Sequence, residues 1–330
     1  MIRIVVDVMG FDYDPIEAIT ACRHFKKFHD DVKIIFVGDK SELLKRILES
    51  ELDQYEIIDA KDVVTCSDNP ISYLRNKETS LFKGMKFVAD DQADGFLSAG
   101  TTAAFVTIAN SLIGTIDGIN KAAFMSYIPT TDCRGLMLLD EGANLNCTGQ
   151  DLYQFAQMAN AYCRVLRNIE QPRVGLINIG TEEYKGFDFH HEANTYLRAD
   201  STINYQGFLE TRNIINGTVD IAVCDGYTGN IVLKTLEGAL KSINDLLKIQ
   251  FKKPVNWLGA ATSLNVIKTL KNTFNYKNYA GAFVIGLKKN VVKTHGDAKA
   301  HEFFSALGML YDAIKLQLVD VIADLAQKTK

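Results

Sequence analysis

Five segments of the sequence place glycine beside aspartate, serine, threonine or asparagine directly after a short apolar run. They are Asp7-Val-Met-Gly10, Ser98-Ala-Gly-Thr-Thr102, Asp140-Glu-Gly-Ala-Asn144, Asn178-Ile-Gly-Thr181 and Cys224-Asp-Gly-Tyr-Thr-Gly-Asn230. Glycine lets a backbone approach a ligand closely, and a helix N-terminus offers N–H groups to an anion. One such loop is an ordinary turn, but five together favour a site for phosphate or a similar oxyanion.

Lysines near these segments could supply the fixed positive charge that a bound dianion needs. Lys185 follows Gly180-Thr181 in the same loop, and Lys293 comes two residues before His295. Lys234 lies four residues after the end of the fifth segment. A lone lysine is usually a solvated surface charge, so it is the neighbouring glycine loop or histidine that makes each of these a candidate.

Other kinds of catalytic site find little support in the sequence. The chain has no G-x-G-x-x-G or G-x-x-x-x-G-K-[ST] nucleotide loop and no H-E-x-x-H motif, and its Gly95-Phe-Leu-Ser98-Ala-Gly100 is one residue too long for a nucleophile elbow. His190-His191-Glu192 is better explained as a polar helix start than as a metal site. The 6 cysteines form no C-x-x-C pair, which suits a reducing cytosol. We therefore expect no metal and no cofactor.

The five segments lie within a regular alternation of short β-branched runs and longer helical patterns. Strands are predicted at residues 2–8, 32–37, 56–59, 95–98, 122–125, 135–140, 173–179, 220–224 and 282–287. Helices are predicted at residues 14–29, 41–49, 152–166, 231–248, 263–274 and 298–326. This rhythm predicts a parallel sheet with helices on both faces, whose ligands bind beyond the carboxyl ends of the strands. No interdomain linker is apparent, so residues 1–330 are predicted to form a single domain.

Residues 239–278 interrupt the alternation, because two helical patterns follow one another there with no strand between them. We expect a helical hairpin that projects from the sheet. Its tip would carry Trp257, the one tryptophan of the chain.

The composition is that of an ordinary globule, with 330 residues, 47% hydrophobic and 23% charged. Lys and Arg number 36 against 40 Asp and Glu, and a net charge of −4 argues against nucleic-acid binding. Asp7 breaks the N-terminal apolar run, which is therefore a strand and not a signal peptide. The longest mostly apolar stretch, 103–116, is too short to span a membrane. We expect a cytosolic location with, at most, attachment to a membrane surface.

The same segments, in the same order, closely resemble the bacterial phosphate acyltransferase family, the acyl-ACP:phosphate acyltransferases of phospholipid synthesis. The resemblance runs from residue 1 to about 320. The matching stretches are 7–10, 98–102, 138–144, 173–186, 223–230, 233–235, 237–238 and 292–296. The two longest blocks, 173–186 and 220–238, are too specific to match by chance.

This resemblance implies a three-layer α/β/α fold, with a mostly parallel sheet, related to phosphotransacetylases and isopropylmalate-type dehydrogenases. It also implies that a homodimer without a redox cofactor transfers an acyl group from acyl carrier protein (ACP) to inorganic phosphate. Family members attach peripherally to membranes through the hairpin, and here its tip offers Phe251, Val255, Trp257 and Leu258 beside Lys252 and Lys253. Apolar and basic side chains together suit an anionic bilayer, but they would equally suit a dimer interface.

The implied chemistry needs no serine or cysteine nucleophile, because phosphate itself attacks the thioester. Lys185 and the Gly180-Thr181 backbone would hold the phosphate. Asn230 would donate to the thioester oxyanion, with Lys293 and His295 close by. The other candidate phosphate- or substrate-binding residues are Asp7, Gly10, Ser98, Gly100, Thr101, Thr102, Asn144, Asp225, Gly226, Thr228 and Gly229.

The chain departs from the family pattern in several loops. Where the family usually has Met-Gly-Gly-Asp and Ser-Ala-Gly-Asn-Thr-Gly, this chain has Met9-Gly-Phe-Asp12 and Ser98-Ala-Gly-Thr-Thr-Ala103. A side chain in place of glycine restricts positive φ or crowds a substrate. The Lys185 and Asn230 loops are intact, so we expect an active enzyme with an altered substrate fit. Two alternatives stay open: a phosphotransacetylase-like enzyme that uses acyl-CoA, and a membrane-attached scaffold without catalysis.

Overall fold

A computed structural model describes residues 1–65, 70–274 and 281–328. The contacts between residues group the chain into two compact units. The first unit consists of Met1–Ser126, Gln157–Gln171 and Tyr279–Lys330, and the second of Tyr127–Ala156 and Pro172–Asn278. The single domain over residues 1–330 stays a prediction, and each unit is described separately below.

Strands and helices alternate along most of the described chain. The strands are β1 (Ile2–Asp7), β2 (Val32–Gly38), β3 (Glu56–Asp59), β4 (Gly95–Ser98), β5 (Ala123–Ile128), β6 (Leu136–Leu139), β7 (Arg173–Ile177), β8 (Asn204–Leu209), β9 (Ile221–Val223), β10 (Ala282–Ile285) and β11 (Asn290–Lys293). The α-helices are α1 (Ile16–Lys26), α2 (Lys40–Arg46), α3 (Pro70–Arg75), α4 (Ser80–Ala89), α5 (Thr102–Leu112), α6 (Gly149–Leu166), α7 (Asp188–Ala199), α8 (Gly226–Phe251), α9 (Trp257–Thr262), α10 (Leu264–Thr273), α11 (Ala300–Lys315) and α12 (Leu318–Lys328).

The first unit holds a sheet in the order β3-β2-β1-β4-β11-β10-β5. Neighbouring strands from β3 to β11 pair in parallel, whereas β10 runs antiparallel to both of its neighbours. A short turn joins β10 to β11, and only antiparallel strands can be joined so directly. Lys293 lies opposite Ser98 in the register of β11 and β4. Because Val6 lies opposite Leu97, Asp7 ends its strand beside Ser98.

The second unit holds four neighbouring strands in the order β6-β9-β7-β8, all of them parallel. All residues of β6 and β9 are buried, as expected for parallel strands covered on both faces. Its core includes Leu138 and Ala222 of the sheet together with Val232 of α8. Leu233 and Leu236 pack against this core, so the first turns of α8 are fixed to the sheet by apolar burial.

The start of helix α8 lies so close to the loop of Asp140 and Asn144 that only glycine fits at two of its positions. Asp225 caps it, accepting hydrogen bonds from the Thr228 N–H at 2.9 Å and the Thr228 hydroxyl at 2.7 Å. A Cβ on Gly229 would lie 1.9 Å from the Asp140 carbonyl oxygen, and one on Gly226 would lie 2.6 Å from the Asn144 carbonyl oxygen. Glycine at these two positions is therefore a packing requirement.

The predicted fold class is confirmed: a mostly parallel sheet with helices. Several elements differ from the prediction. Strands β8 and β11 were not predicted as strands. The helix predicted over 298–326 is two helices, α11 and α12, separated where Gln317 adopts a positive φ of 54°. Helix α2 begins at Lys40, one residue earlier than predicted, because Asp39 caps it by accepting from the N–H groups of Ser41 and Glu42.

The region predicted as a hairpin is helical throughout its described part. Helix α8 continues to Phe251, and a 3-10 turn at Pro254–Asn256 leads into α9 and α10. No strand intervenes in the described range 226–274. Residues 275–278 and the side chain of Leu258 lie outside the described residues.

We predict opposite effects for two glycine substitutions on α8. Gly229→Ala should destabilise the protein by at least about 1–3 kcal/mol, because its Cβ would overlap the Asp140 carbonyl. Gly238→Ala, the matched control, meets nothing within 4 Å and should stabilise the helix by about 0.5–1 kcal/mol. Thermal unfolding of both variants checks this. Equal effects would contradict the close approach of α8 to the Asp140 loop.

Candidate active site

The carboxyl ends of β1 and β4 carry a buried polar network in the first unit. The Ser98 hydroxyl donates to Asp7 Oδ2 at 2.9 Å, and the Gly100 N–H donates to Ser98 Oγ at 3.0 Å. The Met9 N–H donates to Asp7 Oδ1 at 3.1 Å. Burial raises the pKa of Asp7 to about 6, although these hydrogen bonds and one with Ser80 oppose the shift. The network fixes the two loops relative to one another.

Some polar side chains around this network have a hydrogen-bond partner, and others have none among the described residues. Lys293 is buried, and its Nζ donates to the Thr294 carbonyl at 2.8 Å. The hydroxyls of Thr101 and Thr294 are buried with no hydrogen-bond partner among the described residues. His295 is half-buried two residues beyond Lys293, and Thr102 is exposed at the start of α5. The two threonine hydroxyls are therefore polar groups that a ligand could satisfy.

One of the residues that depart from the family pattern, Phe11, has a structural explanation. Gly10 has a φ of +75° and keeps its glycine. The ring of Phe11, which replaces a family glycine, packs against Phe303 of α11 with centroids 5.3 Å apart. This side chain therefore contributes to packing against α11.

The Asp140 loop of the second unit is held by its own first residue. The buried Asp140 carboxylate accepts from the N–H of Ala143 at 3.1 Å, and from the N–H and side-chain amide of Asn144 at 2.6 and 2.8 Å. The Asn144 carbonyl in turn accepts the Gly226 N–H at 2.8 Å. Asn144 thus joins the Asp140 loop to the start of α8.

Asn230 lies half-buried beside this loop. A Cβ on Gly142, whose φ is +119°, would lie 3.6 Å from the Asn230 Cβ. The N–H groups of Gly226 and Thr228 are already bonded to Asn144 and Asp225. The role of the Asn230 side chain as a donor at this helix start stays a prediction. Asp225 and Thr228 act here as the helix cap.

The loop that carries Lys185 is fixed by Asn178, which is buried at the end of β7. The Asn178 amide donates to the Lys185 carbonyl at 2.8 Å, and its oxygen accepts the Ile179 N–H at 2.8 Å. The Lys185 side chain crosses Gly180, since a Cβ there would lie 2.7 Å from Nζ. Lys185 Nζ pairs with Glu182 Oε2 at 2.8 Å, and this carboxylate raises the pKa of the lysine. The predicted phosphate-binding cation is thus paired with a carboxylate in this structure.

Sequence reasoning missed the residues that hold these loops. Asp140 and Asn178 were included in the glycine-containing segments without a role, and Glu182 was not considered. The available signal was their position: each of Asp140 and Asn178 follows a buried strand and precedes a glycine by two residues. His190 caps α7 as expected for a polar helix start, because its Nδ1 accepts the Phe187 N–H at 3.0 Å. Burial lowers the pKa of His190.

The chain is similar to known proteins over nearly its whole length. A family model described as fatty acid synthesis protein matches residues 2–321. The phosphate acyltransferase of Malacoplasma penetrans is 44% identical over 318 residues, covering 96% of each chain. That of Mycoplasmoides gallisepticum is 39% identical over 322 residues, covering 98% of this chain and 97% of its own. The chain belongs to this family of phosphate acyltransferases.

Solved structures show the fold of this phosphate acyltransferase family member independently. A phosphotransacetylase from Streptococcus pyogenes matches with a TM-score of 0.64 at 17% identity, covering 95% of this chain and 94% of its own. An isocitrate dehydrogenase from Methylococcus capsulatus gives 0.54 at 10% identity, covering 99% of this chain and 89% of its own. These likenesses confirm the predicted fold relationship.

The structure brings the candidate residues of this phosphate acyltransferase family member together in separate groups. Asp7, Ser98, Gly100 and Lys293 lie at neighbouring strand ends of the first unit. In the second unit, Asn144, Gly226, Gly229 and Asn230 meet at the start of α8, while Gly180, Thr181 and Lys185 share the loop after β7. Among the described residues, no group of three or more His, Cys, Asp or Glu side chains could hold a metal ion.

We predict that Asp7 makes stability depend on pH in an unusual direction. With its pKa raised to about 6, the folded protein keeps a proton that the unfolded chain releases near its ordinary value of 3.8. The free energy of unfolding should therefore fall as pH rises from about 4 to 6, by up to about 3 kcal/mol from this group.

Thermal unfolding across that pH range, compared with Asp7→Asn, isolates this contribution. The wild-type protein should lose stability relative to Asp7→Asn as pH rises. The exposed Asp30→Asn is the matched control and should follow the wild-type protein. A stability difference between wild type and Asp7→Asn that is independent of pH would contradict the raised pKa.

Proposed function

We propose that this protein transfers a fatty acyl group from acyl-ACP to inorganic phosphate, giving an acyl phosphate for phospholipid synthesis. The observation that carries the proposal is the similarity, at 37–44% identity over 96–98% of this chain, to proteins named phosphate acyltransferase. The fixed positions of Lys185 and Asn230 support it, because buried Asn178 holds the loop of Lys185 and the buried start of α8 carries Asn230.

In the proposed reaction, a phosphate oxygen attacks the thioester carbonyl carbon, and the carbonyl becomes an oxyanion. The C–S bond then breaks, the carbonyl re-forms, and the carrier leaves as a thiolate. A thiol has a free pKa of about 8.5, so its thiolate leaves with little acid assistance. The enzyme must therefore hold a dianion against the thioester and stabilise the oxyanion.

Lys185 and Asn230 are suited to these two tasks. The raised pKa of Lys185 keeps it charged at neutral pH, and phosphate would take the place of the Glu182 carboxylate at Nζ. The Gly180-Thr181 backbone lies beneath this lysine and would complete the phosphate site. The Asn230 amide would donate a hydrogen bond to the oxyanion. Lys293, His295 and the unpartnered Thr101 and Thr294 hydroxyls are further proposed ligand contacts.

We predict that Lys185→Ala and Asn230→Ala each lower turnover by roughly 10²–10³-fold without changing the melting temperature appreciably. The measurement is phosphate-dependent release of free ACP thiol from acyl-ACP. Lys289→Ala is the matched control, because Lys289 is likewise ion-paired, with Asp91 at 2.6 Å, but lies at the start of β11, away from the carboxyl strand ends.

The outcome also separates the competing functions. Thiol release from acyl-CoA alone in a parallel reaction would favour a phosphotransacetylase-like enzyme. No release from either donor by a folded protein would favour a non-catalytic scaffold. Full turnover in both alanine variants would overturn the assignment of the two residues.

We also propose that the protein is a homodimer that attaches peripherally to anionic membranes through the hairpin, defined here as α8 beyond residue 239, α9 and α10. At its tip, Val255 is 85% and Trp257 62% exposed, beside the exposed Lys252 and Lys253, while Phe251 is half-buried. An apolar tip flanked by lysines fits a negatively charged lipid surface. Among the described residues, no helix is long and apolar enough to span a bilayer.

Vesicle flotation tests this attachment. We expect binding to vesicles containing phosphatidylglycerol and little binding to phosphatidylcholine alone. The double variant Val255→Asp/Trp257→Ala should bind at least about tenfold more weakly, because each large apolar side chain contributes about 1.5–3 kcal/mol on burial. Phe28→Ala removes an equally exposed aromatic from the first unit and is the matched control. A double variant that becomes monomeric in size-exclusion chromatography yet binds vesicles normally would assign the tip to a dimer interface.

A further inference from the structure

The second unit contains a pocket of about 440 Å³ that the proposed chemistry does not yet use. It lies between the 145–147 loop, the start of α7 and the start of α8. Phe189, Cys147 and Thr228 are half-buried in its wall, and the exposed rim consists of Leu145, Asn146, Phe187 and Tyr227. Its volume lies within the range of small-molecule sites in proteins, about 300–1,000 Å³.

The lining of this pocket favours an uncharged, apolar occupant. Three aromatic rings face it, and those of Phe187 and Phe189 stack with centroids 5.7 Å apart. No basic side chain is among its described lining residues. Its one carboxylate, Asp225, already accepts from the Thr228 N–H and hydroxyl. A phosphate dianion would find a carboxylate here and no basic side chain among the described lining residues, so an uncharged ligand suits this lining better.

The rim of the pocket is mostly apolar, with Asn146 as its one amide. Leu145 is 65% and Phe187 70% exposed to solvent. Apolar side chains grouped at the mouth of a pocket mark a ligand-binding surface, because covering them removes hydrocarbon from water.

The pocket opens next to the proposed reaction centre. Tyr227 in its rim precedes Asn230 by three residues on α8, so the two side chains lie on the same face of the helix. Asn230 is the group proposed to hold the thioester oxyanion. A hydrocarbon chain attached to that carbonyl would therefore reach the pocket within about one helical turn.

We propose that this pocket binds the acyl chain of the thioester donor, and that Phe189 and Cys147 limit the length of chain it accepts. This inference rests on the proposed acyl transfer, and it specifies where the acyl chain of the donor binds. Binding energy from the remote end of the chain then holds the carbonyl at Asn230, so that chain length affects turnover.

The primary test measures kcat/KM for phosphate-dependent thiol release over a series of acyl-CoA or acyl-ACP donors from C4 to C18. Cys147→Trp fills the pocket, so the ratio of long-chain to short-chain kcat/KM should fall at least tenfold. Phe189→Ala enlarges it, so the preferred chain should lengthen. Phe304→Ala is the matched control, because it truncates a half-buried aromatic that packs on Phe25 in the first unit. Its chain-length profile should match that of the wild-type protein.

A second readout does not depend on turnover. Cys147 is half-buried in the pocket wall, and Cys133 is exposed outside the pocket lining. Palmitoyl-CoA, added without phosphate, should protect Cys147 from N-ethylmaleimide in peptide mass spectrometry, and acetyl-CoA should not. Labelling of Cys133 should be unchanged in both conditions.

The outcomes separate this inference from the function on which it rests. No thiol release from any donor by the unchanged protein would overturn the acyltransferase proposal itself. Release with unchanged chain-length profiles in Cys147→Trp and Phe189→Ala would overturn the pocket assignment alone. So would equal labelling of Cys147 in the presence and absence of palmitoyl-CoA.

Discussion

The site in the second unit depends on the contact between the start of α8 and the backbone of the Asp140 loop. Gly229 lies so close to the Asp140 carbonyl that no side chain fits between them, and Gly226 is bonded to the Asn144 carbonyl. The apolar burial of Val232 holds the helix against this contact. Asn230 takes its position on α8 from these constraints, and it lies beside Gly142.

Much of this arrangement could be predicted from the sequence, because the signals are local. Glycine beside a short polar residue after an apolar run placed the five loops correctly at strand ends. Their individual roles could not be predicted, since an aspartate that caps a helix and one that binds a ligand have the same local pattern. Asp225 is of the first kind, because it caps α8 through Thr228, whereas Asp140 holds its own loop through Ala143 and Asn144.

The unpredicted elements have physical reasons of their own. Strand β8 contains Asn204, Gln206 and Gly207, which are poor strand formers, and it forms because β7 offers it an edge. The break between α11 and α12 depends on one residue with positive φ, Gln317, a type that carries no sequence signal for it. The ion pair between Glu182 and Lys185 also depends on the folded loop, although the two residues are only three apart.

The charge arrangement differs between the two groups of candidate residues. In the first unit, Asp7 is buried and accepts hydrogen bonds from a hydroxyl and a backbone N–H, and burial raises its pKa. In the loop after β7 the cation is accessible and balanced by Glu182. At the proposed phosphate site, an anion at Lys185 would replace a carboxylate that is already present, and its binding would be sensitive to ionic strength.

The length of α8 has a mechanical consequence. The helix is continuous over 26 residues, about 39 Å, with Asn230 near its first turn and Phe251 at its last. A continuous helix acts as a stiff rod, so a force applied at the exposed tip is transmitted along its axis to the first turn. Gly238 lies between the two ends, with nothing within 4 Å of where its side chain would be, and as a glycine it adds backbone freedom to that rod.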